Sequence, residues 1–167
     1  MTTPFSFSRL FSAALVVVFC FAFFSTLSAQ DKRVESALDD AGIDWSTSES
    51  GNYRMVLDVP EGNGRTHLIF VAQKAMEFRS FEIREVYGIV YKSDIRPSQR
   101  QYEELLQKNE SVKMGFFSLI ENDGEYIVYF NAVVDANIDG KGLEDAINAV
   151  MQVADQMELE MTGEDEF

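Results

Sequence analysis

From residue 31 onward the chain switches between two hydrophobic periods, and each switch marks an element. Residues 31–42 repeat at helical spacing, with Val34, Ala37, Leu38 and Ala41 on one face and Gly42 as a C-terminal stop. At Tyr53 the period drops to two. Tyr53, Met55, Leu57 and Val59 alternate with Arg54, Val56 and Asp58, a half-buried strand that Pro60 ends. Residues 61–64 are turn material, residues 66–73 a second strand and residues 81–91 a third, with Gly88 a candidate bulge. Residues 45–51, rich in serine, fit a strand or a loop equally. A second helix spans residues 96–109. It opens on Ser98 and Gln101 at capping-box spacing, carries Tyr102, Leu105 and Leu106 as its stripe, and closes at Asn109 in the left-handed conformation. Residues 111–121 and 125–135 form a hairpin around Asp123-Gly124. The last helix, residues 142–157, is expected to bury Leu143, Ala146, Ile147, Val150, Val153, Ala154 and Met157. Residues 158–167 are an acidic tail expected to fray.

This pattern predicts an α+β domain in the order α-β-β-β-α-β-β-α. Its tight turns imply an antiparallel sheet of about five strands, with three helices mainly on one face. Several strands are apolar on both sides. Phe117 and Leu119 oppose Met114, Phe116 and Ile120, and Ile127, Tyr129 and Val133 oppose Tyr126, Val128, Phe130 and Val134. Helices on one face leave the other to water, where a strand normally turns polar. A second apolar face therefore predicts either a curved sheet wrapped on its own core or an interaction surface. The expected surface is the set Phe117, Leu119, Ile127, Tyr129 and Val133, for a protein or peptide client or for a second copy in a homodimer.

The first 29 residues follow another pattern. Arg9 is their one charge, residues 10–24 are almost continuously apolar, and residues 25–29 are small and weakly polar apart from Leu27. That order reads as a secretory signal cleaved near Ala29, with cleavage after Ser28 as an alternative and an uncleaved anchor as the rival reading. The domain organisation is then a signal peptide over residues 1–29, one domain over 30–157 and the tail over 158–167. The protein is expected to be periplasmic or secreted, touching a membrane only through that segment if it is retained. Cys20 is the one cysteine of the chain and falls inside the apolar stretch. The mature chain thus lacks a disulfide, a thiolate metal site and a cysteine nucleophile. The formal net charge of −14 becomes −15 once Arg9 leaves. So acidic a surface repels nucleic acid and anionic lipid and suits cationic partners or divalent ions.

No recognisable catalytic constellation appears. His67, the single histidine, lies within a strand and is expected to be a partly exposed sheet residue, and no serine sits in a Gly-x-Ser-x-Gly elbow. No phosphate-binding glycine loop is present. The expectation is a protein that is not an enzyme, with a hydrolase as the third reading. One motif raises metal chemistry. Asp135, Asn137, Asp139 and Gly140 match the first six positions of a calcium loop. The twelfth position, where a bidentate glutamate belongs, is Ala146, with Glu144 nearby. Asp135, Asn137, Asp139 and Glu144 form the candidate Ca²⁺ set. The competing reading makes Asp139 the N-cap of the last helix.

The LLQKN run at residues 105–109, MGFFSLI at 114–120, ENDGE at 121–125 and the closing helix follow one another in an order that resembles the YbjN domain family. The resemblance covers nearly the whole mature chain, and the exported, acidic setting is its main departure. It implies a fold similar to that of type III secretion chaperones. It also implies no established catalytic residues, and action through protein-segment binding or self-association, as a regulator.

Overall fold

The computed structural model describes residues 31–167. The expected signal peptide, its cleavage near Ala29 and Cys20 lie outside these residues. The elements are α1 (Lys32–Asp40), β1 (Ser46–Thr47), β2 (Tyr53–Asp58), β3 (Thr66–Val71), β4 (Met76–Phe78), β5 (Phe81–Ser93), α2 (Gln99–Ser111), β6 (Phe116–Asn122), β7 (Glu125–Asp135) and α3 (Gly140–Thr162). All strand pairs are antiparallel, in the order β1-β2-β3-β5-β7-β6, and β4 pairs with the start of β5. The α+β class holds. The sheet has seven strands where about five were expected, because the two-residue β1 and three-residue β4 are too short to show a period.

Local chemistry explains most boundaries. Ser98 and Gln101 form the expected capping box at the start of α2. Asp123, at φ 50°, and Gly124, at φ 87°, make the two-residue turn of the β6–β7 hairpin, where both residues need positive φ. Three expectations are corrected. Helix α2 runs on to Ser111, because Asn109 stays helical and spends its amide on β6. The bulge of β5 lies between Ile89 and Tyr91 rather than at Gly88. A Cβ at Gly88 would meet Ile69 Cδ1 at 3.0 Å and Ala154 Cβ at 3.1 Å, so this glycine lets α3 sit directly on the sheet. Finally, α3 continues past Met157 to Thr162, and the tail is tied down. Glu158 Oε1 accepts from the backbone N–H groups of Glu166 and Phe167, and the Phe167 carbonyl accepts from Leu68.

The helices cover one face. Beneath them lie Tyr53 and Met55 of β2, Ile69 and Val71 of β3, Val86 and Val90 of β5, and Val128 and Phe130 of β7. Leu38 of α1 and Leu143, Ile147 and Val150 of α3 close the core from above. Within it sits a cation that composition does not reveal. Arg84 is 1% exposed. Its Nη1 donates to the Ala72 and Gln73 carbonyls at 2.5 and 2.6 Å, and its Nη2 donates to Asp31. Asp31 is also the N-cap of α1, and Arg33 links it onward to Glu82. Hydrogen bonds from the Arg33 side chain and backbone, with the Arg84 charge beside them, hold the Asp31 carboxyl well below the usual carboxylate range.

A depressed carboxylate contributes stability that is full above its unfolded pKa and is lost as pH falls through its folded one. Asp31→Ala leaves Arg84 buried without its anion and should cost about 3–5 kcal/mol in urea unfolding at neutral pH. The variant should also lose part of the wild type's acid sensitivity. An unchanged midpoint would show that the pair carries no weight.

Candidate functional site

Among the described residues no helix packs on the opposite face of the sheet, and that face remains apolar. Phe116 is 41% exposed, Ile120 46%, Val133 44% and Val56 51%. Half-buried Phe70, Tyr87 and Tyr129 form its centre. Phe70 and Tyr87 stack at 5.1 Å between centroids, and Tyr87 meets Tyr129 edge-on at 5.5 Å. Asn52 donates to the Tyr87 hydroxyl at 2.9 Å, and Asn131 donates to Ser118 Oγ at 2.8 Å. Tyr87, Tyr129, Asn52, Asn131 and Ser118, with Glu85 and Ile120, line a shallow depression of about 340 Å³. Burial pushes the Tyr87 and Tyr129 phenols above their ordinary values.

The five residues expected to share a surface do not share one. Ile127, Tyr129 and Val133 lie on the open face, but Phe117 and Leu119 point to the helices. Phe117 is buried against Phe130 with ring centroids 4.9 Å apart, and Leu119 packs on the core. The reason is register. The two-residue turn pairs Asn122 with Glu125, so Phe117 stands opposite Phe130 and Leu119 opposite Val128. Odd positions of β6 therefore share a face with even positions of β7. The Asp-Gly turn carried that information in the sequence. The true companions of Tyr129 are Phe116, Ser118 and Ile120.

In the candidate calcium loop every side chain has a local role. Asp135 Oδ1 accepts from the Asn137 backbone at 2.8 Å, and Asp139 Oδ1 accepts from Gly142 at 2.8 Å as the N-cap of α3. Asn137 Oδ1 takes an N–H from the Arg33 guanidinium at 3.0 Å, a cation where a metal ligand would be free. Glu144 faces Lys141. Among the described residues no three His, Cys, Asp or Glu side chains converge as a metal group.

His67 is fully buried on β3, with Nδ1 3.3 Å from Glu158 Oε2. Beside it Arg65 grips Asp155 with two bonds of 2.9 and 2.7 Å. Sequence reasoning placed His67 as a partly exposed sheet residue. It missed this group because the partners arrive from a helix some 90 residues away. Compared with known proteins, the chain matches no family model and no curated protein. Among the described residues no helix is long and apolar enough to cross a membrane.

The two faces respond differently to charge. Phe117→Asp should unfold the domain, costing at least the ~3–5 kcal/mol of deleting a buried phenylalanine ring. Tyr129→Asp should keep the native circular dichroism. Equal loss of structure in both would show that the open face is core.

Proposed function

We propose that the protein is an exported, non-enzymatic binding protein of the YbjN type, periplasmic or secreted, that acts by association through its uncovered sheet face. The observation behind this reading is the face itself. Phe116, Ile120, Val133 and Val56 stay exposed around the Phe70–Tyr87–Tyr129 centre while three helices pack on the opposite side. Exposed apolar area of this kind marks an interaction site. A second copy is the natural occupant, because two such faces stack as the sheets of a sandwich do and bury the same residues on both partners. An apolar segment of a client protein is the other occupant this scaffold admits. The acidic surface speaks against nucleic acid. The one histidine, the side chain most often used as a general base, is buried against Glu158.

Light scattering on residues 30–167, with and without millimolar calcium, tests the reading. A dimer mass is expected in both conditions. Tyr129→Asp should yield a monomer with unchanged circular dichroism. A wild-type monomer would sink self-association, and a mass that depends on calcium would return the loop after β7 to consideration.

A further inference from the structure

Strand β6 ends the sheet, and its outer edge is treated unlike the edge at β1. The β1 edge is two residues long, the usual way of blunting an edge against unwanted pairing. Strand β6 is seven residues long, and its first five, Phe-Phe-Ser-Leu-Ile, contain no proline or lysine. Its ladder with β7 uses alternate residues. The pair at Asn122–Glu125 closes the hairpin, so Ser118 and Ile120 also bond inward, and Phe117, Leu119 and Glu121 present their backbone groups outward.

One of those outward positions is already occupied by a side chain that imitates a peptide unit. The Phe117 N–H donates to Asn109 Oδ1 at 2.6 Å, and Asn109 Nδ2 donates to the Phe117 carbonyl at 3.4 Å. A primary amide placed this way does what a residue of a neighbouring strand would do. Beyond it, among the described residues, the outward groups of Leu119 and Glu121 have no partner. Leu119 borders a groove of about 250 Å³ that Tyr102, Leu105 and Leu106 of α2 and Phe117 of β6 also line. Leu106 is 69% exposed at its rim.

We infer that this groove takes an extended peptide from another protein, which adds as a strand to β6 beyond Asn109. Apolar side chains at alternate positions enter between Leu106 and Leu119, and basic ones lie outside. The unpaired ladder selects an extended backbone, and the groove wall selects apolar residues at every second position. Charge selects the partner. The two elements that wall the groove carry exposed carboxylates, Glu103 and Glu110 on α2 and Glu121 and Asp123 on the hairpin, and none forms an ion pair among the described residues. Of the nearby cations, Arg100 and Lys108 are paired with Glu104 and Glu160, Arg96 lies against the Tyr102 hydroxyl and the Glu121 charge, and Lys113 is exposed after α2. At this edge a second copy would bring the same carboxylates against it. The inference rests on reading the protein as a binding protein but uses the edge of the sheet, not its open face.

The probe is a fluorescein-labelled peptide of about eight residues alternating valine and lysine, long enough to span β6. Titrated with the purified exported protein, it should raise fluorescence anisotropy. Binding should weaken as salt rises, and the valine–glutamate counterpart should not bind. Glu121→Pro removes an outward N–H at a position where an edge strand tolerates proline, and should weaken binding about tenfold. Glu121→Gln, which keeps the N–H, should lose far less. Hydrogen exchange read by NMR needs no variant: the Leu119 and Glu121 amides should gain protection when the peptide binds. Tyr129→Asp should leave peptide affinity unchanged even where it abolishes a dimer, so this inference and the face reading can fail separately. Absence of binding, or protection confined to the open face, would overturn the inference. So would a wild-type dimer that Glu121→Pro converts to a monomer, because the edge would then belong to a second copy.

Discussion

A guanidinium buried under the helices sets the frame for the rest of this fold. Arg84, near the start of β5, ties the cap of α1 to the link after β3. A buried cation is tolerated only when anions and carbonyls surround it. Asp31 and two backbone oxygens answer its Nη1 and Nη2 and thereby fix where α1 begins. Once α1 is placed, Val34 and Leu38 face the core, Tyr53 finds the Asp31 carbonyl, and α3 packs alongside. Burial, with the negative charges of Glu35 and Asp31 nearby, raises the Tyr53 phenol to about 12.

The sheet also shows how backbone groups are satisfied where no strand is present. Strands β3 and β5 pair only between residues 69–71 and 86–88, because the bulge after Ile89 carries β5 away. The exposed amide of Leu68 is met by the Phe167 carbonyl, and Glu158 holds the tail in that gap through two further N–H groups. At the far edge, the Asn109 amide serves Phe117 in the same way. In both places a polar group outside the ladder stands in for a missing strand, as the need to pair buried backbone groups requires.

Elements long enough to repeat were legible in the sequence. The three helices, β2, β3, β5 and the hairpin all follow from their periods, and the caps at Ser98 and Asp139 follow from residue type and spacing. Strands β1 and β4 were not legible, since two or three residues cannot display alternation. The open face was half legible. Its apolar character could be read from Ile127, Tyr129 and Val133, but its membership depended on carrying the turn's register across the hairpin to Ile120 and Phe116. The buried group around His67 could not be read at all. Arg65, Asp155 and Glu158 look like surface charges until tertiary structure brings them together.

That group has a consequence for the order of assembly. Arg65 and Asp155 lie 90 residues apart, and the Leu68–Phe167 bond joins the same two regions. Contacts between such distant segments form only after the intervening loop is closed, which slows folding and concentrates it in a late step. A chain delivered from its N-terminus would present β2 and β3 before α3 exists to cover them. Their inner face, with His67, Ile69 and Val71 on β3, stays wet until the last helix arrives. Folding of this domain therefore completes only when α3 has been delivered to the sheet, whatever has formed before it.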